Sequence, residues 1–274
     1  MTFQPVLVGA GLVGWQFLKA TQERQQKVFE TSPAVQRDTD YFKAEIANIK
    51  TPEDLVADRR LLSVALGAFG LQDDIDNRFF IKTILEEGTT NRDALANRLT
   101  DERYKSLARA FAFDSPAGPR TQRSIFPEEI VSGYHRQAFQ VAVGNTDETM
   151  RLALNFESGL SEVSESPVSD DAKWFRIMGT PPLRSVLETA LGLPSGFGQL
   201  DIDKQLEVFK DKMEARFGVS EISQIAEPQV TEKVIRGFLL QTEVRSASSV
   251  GSGQVALSLL QAIPRVSLND AYRV

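Results

Sequence analysis

Residues 59–71, RRLLSVALGAFGL, constrain this chain more than any other stretch. Leu61, Leu62, Val64, Ala65, Leu66, Ala68 and Phe69 are too dense for a one-sided stripe, so they predict a helix buried on more than one side. Gly70 is placed to close that helix in a left-handed cap, a conformation a residue with Cβ resists. Upstream, Thr51-Pro52-Glu53-Asp54 reads as the helix start: a hydroxyl to take free backbone N–H groups, a proline suited to the first turn, and a carboxylate that can answer the cap. Downstream, Asp74 or Asp76 is placed to cap a helix over 77–87, which Gly88 stops.

A degraded copy of this unit lies about half the chain later. Residues 183–193, LRSVLETALGL, match the apolar positions and the closing glycine, and Thr180-Pro181 repeats the cap-then-proline pair. Asp201 and Asp203 match Asp74 and Asp76, and a helix over 206–217 ends at Gly218 as the first ends at Gly88. Residues 237–240 match 110–113, with an offset that wanders between roughly 122 and 130 positions. The expected fold class is therefore all-α: a multi-helix bundle built from two related repeats, with residues 5–8 as a short strand or extended lead-in. The expected organisation is an N-terminal helical region over 1–113 holding the first repeat (about 51–113), a linker and connecting helices over 114–179, the second repeat over 180–245, and a flexible hinge and C-terminal helix over 246–274.

The rest of the chain fits that frame. Residues 11–30 read as a helix with Leu12, Trp15, Leu18 and Val28 inward, broken at Ser32-Pro33, and Asp38 or Thr39 is placed to cap the next one. Residues 114–127, DSPAGPRTQRSIFP, have linker composition. Two helices over 128–143 and 146–160 are separated by Gly144-Asn145 as a C-cap pair, and 158–171 reads as a mobile surface loop. Trp174, Phe175, Ile177 and Met178 form a short helical anchor. Residues 246–253, SASSVGSG, read as a hinge before a short helix over 254–263.

Composition narrows the chemistry. The 274 residues include no cysteine, which excludes disulfides, zinc–thiolate sites and thiol nucleophiles. A net charge of −6 argues against bulk binding to nucleic acid, and no run reaches the roughly 20 apolar residues of a membrane span. Residues 5–15 are apolar enough to resemble a signal h-region, but no Lys or Arg precedes them and no small-residue cleavage site follows, so they read as part of the mature fold.

One motif invites a cofactor. Gly9, Gly11 and Gly14 form a G-x-G-x-x-G before a helix, and Glu30 stands where a ribose-binding acid would. Residues 51–113 offer none of the further parallel strands such a site needs, so glycines easing entry into a packed helix is the favoured reading. The aspartates at 73, 74 and 76, echoed at 201 and 203, lack the spacing and central glycine of a calcium loop and read as helix caps. His135 is the single histidine and has no triad partner in the pattern. Arg59, Arg60, Arg103 and Arg109, among Asp58, Asp101 and Glu102, read as structural ion pairs rather than a phosphate clamp. The expected enzyme, metal and cofactor assignments are accordingly none.

Longer stretches carry a resemblance. Tyr41-Phe42, the run TPEDLVADRRLL from Thr51, ALGAFGL from Ala65 and LANRLTDERY from Leu95 resemble a bacterial domain family of unknown function. Gly14-Trp15, Met150-Arg151-Leu152-Ala153-Leu154-Asn155 and Pro181-Pro182-Leu183-Arg184 resemble its longer members, so most of residues 1–245 is covered. Members of that family often lie in flagellar gene clusters of alphaproteobacteria. The resemblance implies an association with flagellar biogenesis or motility and nothing mechanistic. Together with the doubled helical unit it points to a non-enzymatic protein with another, flagellar protein as partner, and the lack of cysteine fits a location in the cytoplasm, or export to the flagellum without a cleavable signal peptide. The resemblance carries no catalytic residues. The alternatives are a nucleotide-binding enzyme using the N-terminal glycines, and an exported axial or cap-like component whose helical ends order on assembly.

Overall fold

The computed structural model describes residues 3–262, with side chains to residue 246, and every regular element among them is helical. Residues 5–8 are an extended lead-in, not a strand. Helix α1 (Gly11–Glu30) turns Trp15 and Leu18 inward. Phe29 completes that face instead of Val28, which is 55% exposed. Helix α2 (Pro33–Glu45) starts at its proline, so Asp38 and Thr39 lie inside it and cap nothing. Proline's fixed φ suits the first helical position, which is why the break and the restart coincide.

Helices α3 (Pro52–Ala57) and α4 (Arg59–Ala68) replace the single helix expected from Thr51 onward. The start is a reciprocal cap: Asp54 N–H donates to Thr51 Oγ1 at 3.2 Å and Thr51 N–H donates to Asp54 Oδ2 at 3.0 Å. Replacing Thr51 with alanine is expected to cost about 1 kcal/mol in urea denaturation; an unchanged midpoint would show that the cap contributes nothing. The helix then breaks at Asp58, whose φ of −92° and ψ of 99° are extended. Its carboxylate accepts from the N–H groups of Arg60 and Leu61, so a side chain that competes with the backbone starts α4 afresh. Closure is as expected: Gly70 at φ +68° lets its N–H reach Gly67 O (3.2 Å) and the Leu71 N–H reach Leu66 O (2.9 Å). Phe69 is only half-buried.

Helix α5 (Arg78–Glu87) begins without a side-chain cap. Asp74 instead accepts from the Tyr104 hydroxyl at 2.8 Å and Asp76 pairs with Arg59, so these aspartates serve tertiary contacts rather than the helix end. Helices α6 (Leu95–Arg98) and α7 (Glu102–Phe111) follow, the latter capped by Asp101. The proline-rich 114–127 segment is docked rather than a free linker: Thr121 is fully buried and donates to Ile49 O at 2.6 Å. Helix α8 (Phe126–Gly144), helix α9 (Glu148–Ser164) and helix α10 (Asp170–Met178) come next. The loop expected over 158–171 shrinks to 165–169, because buried Leu160 holds the last turns of α9 on the core.

Helix α11 (Pro181–Ala190) ends as α4 does, with Gly192 at φ +67° and the Leu193 N–H on Glu188 O at 2.8 Å. Its start differs from the expected cap: the Thr180 hydroxyl donates back to Arg176 O and takes no part in capping. Helix α12 (Ile202–Phe217) is capped by Asp201 and ended by Gly218. After helix α13 (Ile222–Ile225), helix α14 (Pro228–Ala262) runs unbroken through the expected hinge at 246–253. Alanine favours a helix, and serine, valine and glycine each cost no more than about 1 kcal/mol beside it, less than the roughly 3 kcal/mol by which a proline would force a break. Residues 263–274 lie outside the described residues. No helix among the described residues is long and apolar enough to cross a membrane.

The apolar side chains gather mainly in two cores with α8 as their common spine. Phe126, Ile130 and Val131 of α8 join α2–α5 and α7 in one; Phe139 and Val143 join α1 and α9–α14 in the other. Tyr134 packs against both. Close helix approach is set by missing side chains. A Cβ on Gly133 of α8 would lie 3.3 Å from Ala68 O of α4, tighter than most such contacts, whereas one on Gly237 of α14 would meet Phe217 of α12 and Ala190 of α11 at ordinary contact distances.

Candidate functional site

The N-terminal glycines open a helix in a fold that has no strand among its described residues. Gly9 and Gly11 have φ of +84° and +55°, and Gly14 lies so near the lead-in that a Cβ would fall 2.6 Å from Gly9 O. A Cβ on Gly11 would meet the Glu243 carboxylate of α14, so the helix start faces a protein anion. Glu30 is at the other end of α1, 19 residues away, which is about 28 Å along the axis. In a dinucleotide fold a returning strand brings the acid back; here the helix carries it away. The glycines serve close packing.

Glu30 instead faces His135 of α8, Oε1 to Nδ1 at 3.9 Å, while His135 Nε2 is buried without a partner. Burial pushes this imidazole below its ordinary value of 6.5, with Lys43 adding to the effect and Glu30 and Glu128 opposing it. A folded-state pKa below the unfolded one means that the unfolded chain binds the proton more readily, so stability is full at neutral pH and declines as pH falls through the unfolded value. Because His135 is the only histidine, its proton resonance can be followed without assignment. A titration midpoint below 6.5 is expected, and a midpoint above 6.5 would mean that Glu30 dominates.

A cleft of about 430 Å³ opens where the two cores meet. It is lined by the end of α4, one face each of α7 and α8, α9, the end of α10 and the start of α11. Seven basic and three acidic side chains border it, an excess of four positive charges on a chain of net charge −6. Phe69, Ile130, Val141 and Leu183 give it an apolar floor. Phe69 is half-buried because it faces this space.

Some of the basic groups are structural. Arg103 donates to Gly70 O and to both carboxylate oxygens of Asp101, tying α7 to the end of α4. Arg120 pairs with Glu129 at 2.7 Å, and Arg151 is held by Glu148. The Arg103 contact with Asp101 matches the ion-pair reading of the sequence, as do Arg59 with Asp76 and Arg60 with Asp38. Arg109 departs from it: with Arg136 and Arg176, it lines the cleft with no ion pair among the described residues. The three come from α7, α8 and α10, so no local pattern could link them. The readable signal was only that each of the three stands without a carboxylate three or four positions away.

The arrangement is that of an all-α bundle with a positively charged cleft at the junction of its two cores, suited to recognising anionic groups. The chain belongs to the family described as protein of unknown function (DUF1217), whose model matches residues 68–231 and so takes in the whole cleft lining. It is similar in fold to a protein from Agrobacterium tumefaciens known from an X-ray crystal structure of a structural genomics consortium. The two share 24% sequence identity at a TM-score of 0.71, over 88% of this chain and 97% of that one. No curated protein matches the sequence.

Proposed function

We propose that the protein is a non-enzymatic assembly factor that acts by binding another protein, in association with the bacterial flagellum. The cleft carries the binding part of this reading: unpaired guanidinium groups on three helices, above an apolar floor, offer charge recognition and burial together. The flagellar part rests on the resemblance of residues 51–71 and 95–104 to a family whose members often lie in flagellar gene clusters. Affinity capture from the native cell, with mass-spectrometric identification, tests the first part, and flagella recovered as specific partners are the expected result. A deletion strain with normal flagella and swimming would overturn the second.

The nucleotide-binding alternative is disfavoured by Glu243 over the start of α1 and by the distance to Glu30. Calorimetry with NAD, NADP and ATP is expected to give no saturable heat. The axial-component alternative requires the N-terminal segment to order only on assembly. Trp15 and Leu18, both at 1% exposure or less, argue against that for α1. Its C-terminal counterpart, residues 254–274, lies beyond the described side chains.

A further inference from the structure

We infer that the cleft receives an acidic, partly apolar segment of the partner protein, laid in extended form along α8 and α9. This rests on the protein-binding part of the reading above and not on the flagellar part. Three observations converge on the occupant's chemistry.

The first is charge. A surplus of four cationic side chains is concentrated in one cleft of a chain that is acidic overall. Arg109, Arg136 and Arg176 have no ion pair among the described residues, whereas Arg103, Arg120 and Arg151 in the same wall are engaged. Guanidinium groups left open in this way favour carboxylates, which they can hold through two parallel N–H donors.

The second is length. On α8 the lining runs from Glu129 to Val141, and on α9 from Arg151 to Val163. Each is 13 residues of helix, about 18 Å from first to last. An extended segment rises about 3.3 Å per residue, so five or six residues fill the length.

The third is the floor. Phe69 and Val141, both half-buried, present apolar surface in the same lining as the arginines, with buried Ile130 and Leu183 also bordering the space. Alternate side chains of an extended segment point to opposite sides, so acidic residues interleaved with apolar ones can meet wall and floor together. Glu102, Glu129 and Glu162 on the rim would repel a segment that is acidic throughout, which favours the mixed pattern.

The test uses the full chain and a displayed library of short random peptides. Selection is expected to enrich Asp or Glu alternating with Leu, Ile or Phe. Fluorescence anisotropy of the selected peptide should show saturable binding that weakens with added salt. The triple variant Arg109→Gln, Arg136→Gln, Arg176→Gln should weaken it by about tenfold or more. Circular dichroism of that variant should be unchanged, and Lys204→Gln, on α12 and outside the lining, serves as the folded control with full binding. Enrichment of basic or wholly apolar peptides, or acidic peptides bound equally by the triple variant, would overturn the assignment. Saturable heat with inorganic phosphate, abolished in the triple variant, would overturn it in favour of a small-anion site. If peptide binding fails while affinity capture still recovers partners, this inference falls and the broader binding role stands.

Discussion

Trp174→Ala is expected to destabilise the protein by about 3–5 kcal/mol, the range for losing a buried large aromatic side chain. The indole of α10 is wholly buried and stacks on Phe209 of α12, ring centroids 5.8 Å apart at 26°. Its Nε1–H donates to Ser220 O at 3.0 Å, so truncation also leaves a carbonyl without its donor. The neighbouring Phe175 is exposed and anchors nothing, although the two are adjacent in sequence. Urea denaturation of Trp174→Ala beside Phe175→Ala separates the positions: the first should shift the midpoint strongly and the second little. Equal, small shifts would mean that α10 does not hold the second core together.

Gly88→Ala is expected to cost about 2–4 kcal/mol, combining the strain of an unsuitable backbone with the loss of a polar clamp. Gly88 ends α5 at φ +63° and ψ −142°, a region open essentially to glycine alone. A Cβ there would fall 1.9 Å from Asp114 Cγ. Asp114 Oδ2 accepts from the N–H groups of Thr89 and Thr90 and from the Thr90 hydroxyl, at 3.1, 3.2 and 2.7 Å, so the methyl must expel a carboxylate that holds the turn. Burial alone would raise the Asp114 pKa, but these hydrogen bonds outweigh it and hold it below the usual carboxylate value. A depressed carboxylate contributes stability that is present at neutral pH and lost as pH falls through its folded-state pKa. The gap between Gly88→Ala and the parent should therefore narrow in acid. In a double-mutant cycle, Asp114→Ala should cost less on the Gly88→Ala background than alone, because the clash and the clamp involve the same carboxylate. Strict additivity of the two would show that the glycine is required for its backbone only.

Both positions illustrate how far the sequence could be read. Gly70, Gly88 and Gly218 were legible as helix ends because a left-handed backbone demand has a nearly unique residue answer. The cap at Thr51 was legible because both its partners lie within one turn. The aspartates at 74 and 76 were misread for the complementary reason. Either could cap locally, yet each found a distant partner, Tyr104 across 30 residues and Arg59 across 17. The break at Asp58 was missed because an unbroken apolar pattern runs on both sides of it, and only the backbone angles show the restart. The hinge at 246–253 was overcalled from composition, since small polar residues permit a break without causing one.

The cleft was the least legible feature. Its open arginines belong to helices that are separate in the chain, and a side chain's lack of a partner is a property of what packs around it. The sequence could place Arg109 among nearby carboxylates, but it could not say that Asp101 would be taken by Arg103.

The sequence by itself determined the all-α class, most helix ends and the apolar density of residues 59–71, because these follow from local backbone preferences and a 3.6-residue period. Only the tertiary structure decided that α8 would link two cores, that Gly133 would mark the close crossing of α8 with α4, and that Glu30 would be carried about 28 Å from the glycines at the other end of α1. It also decided which arginines would be left open to a partner. Such outcomes depend on which helices meet, and contact between segments far apart in the chain is set by the packing of the whole rather than by the composition of any one stretch.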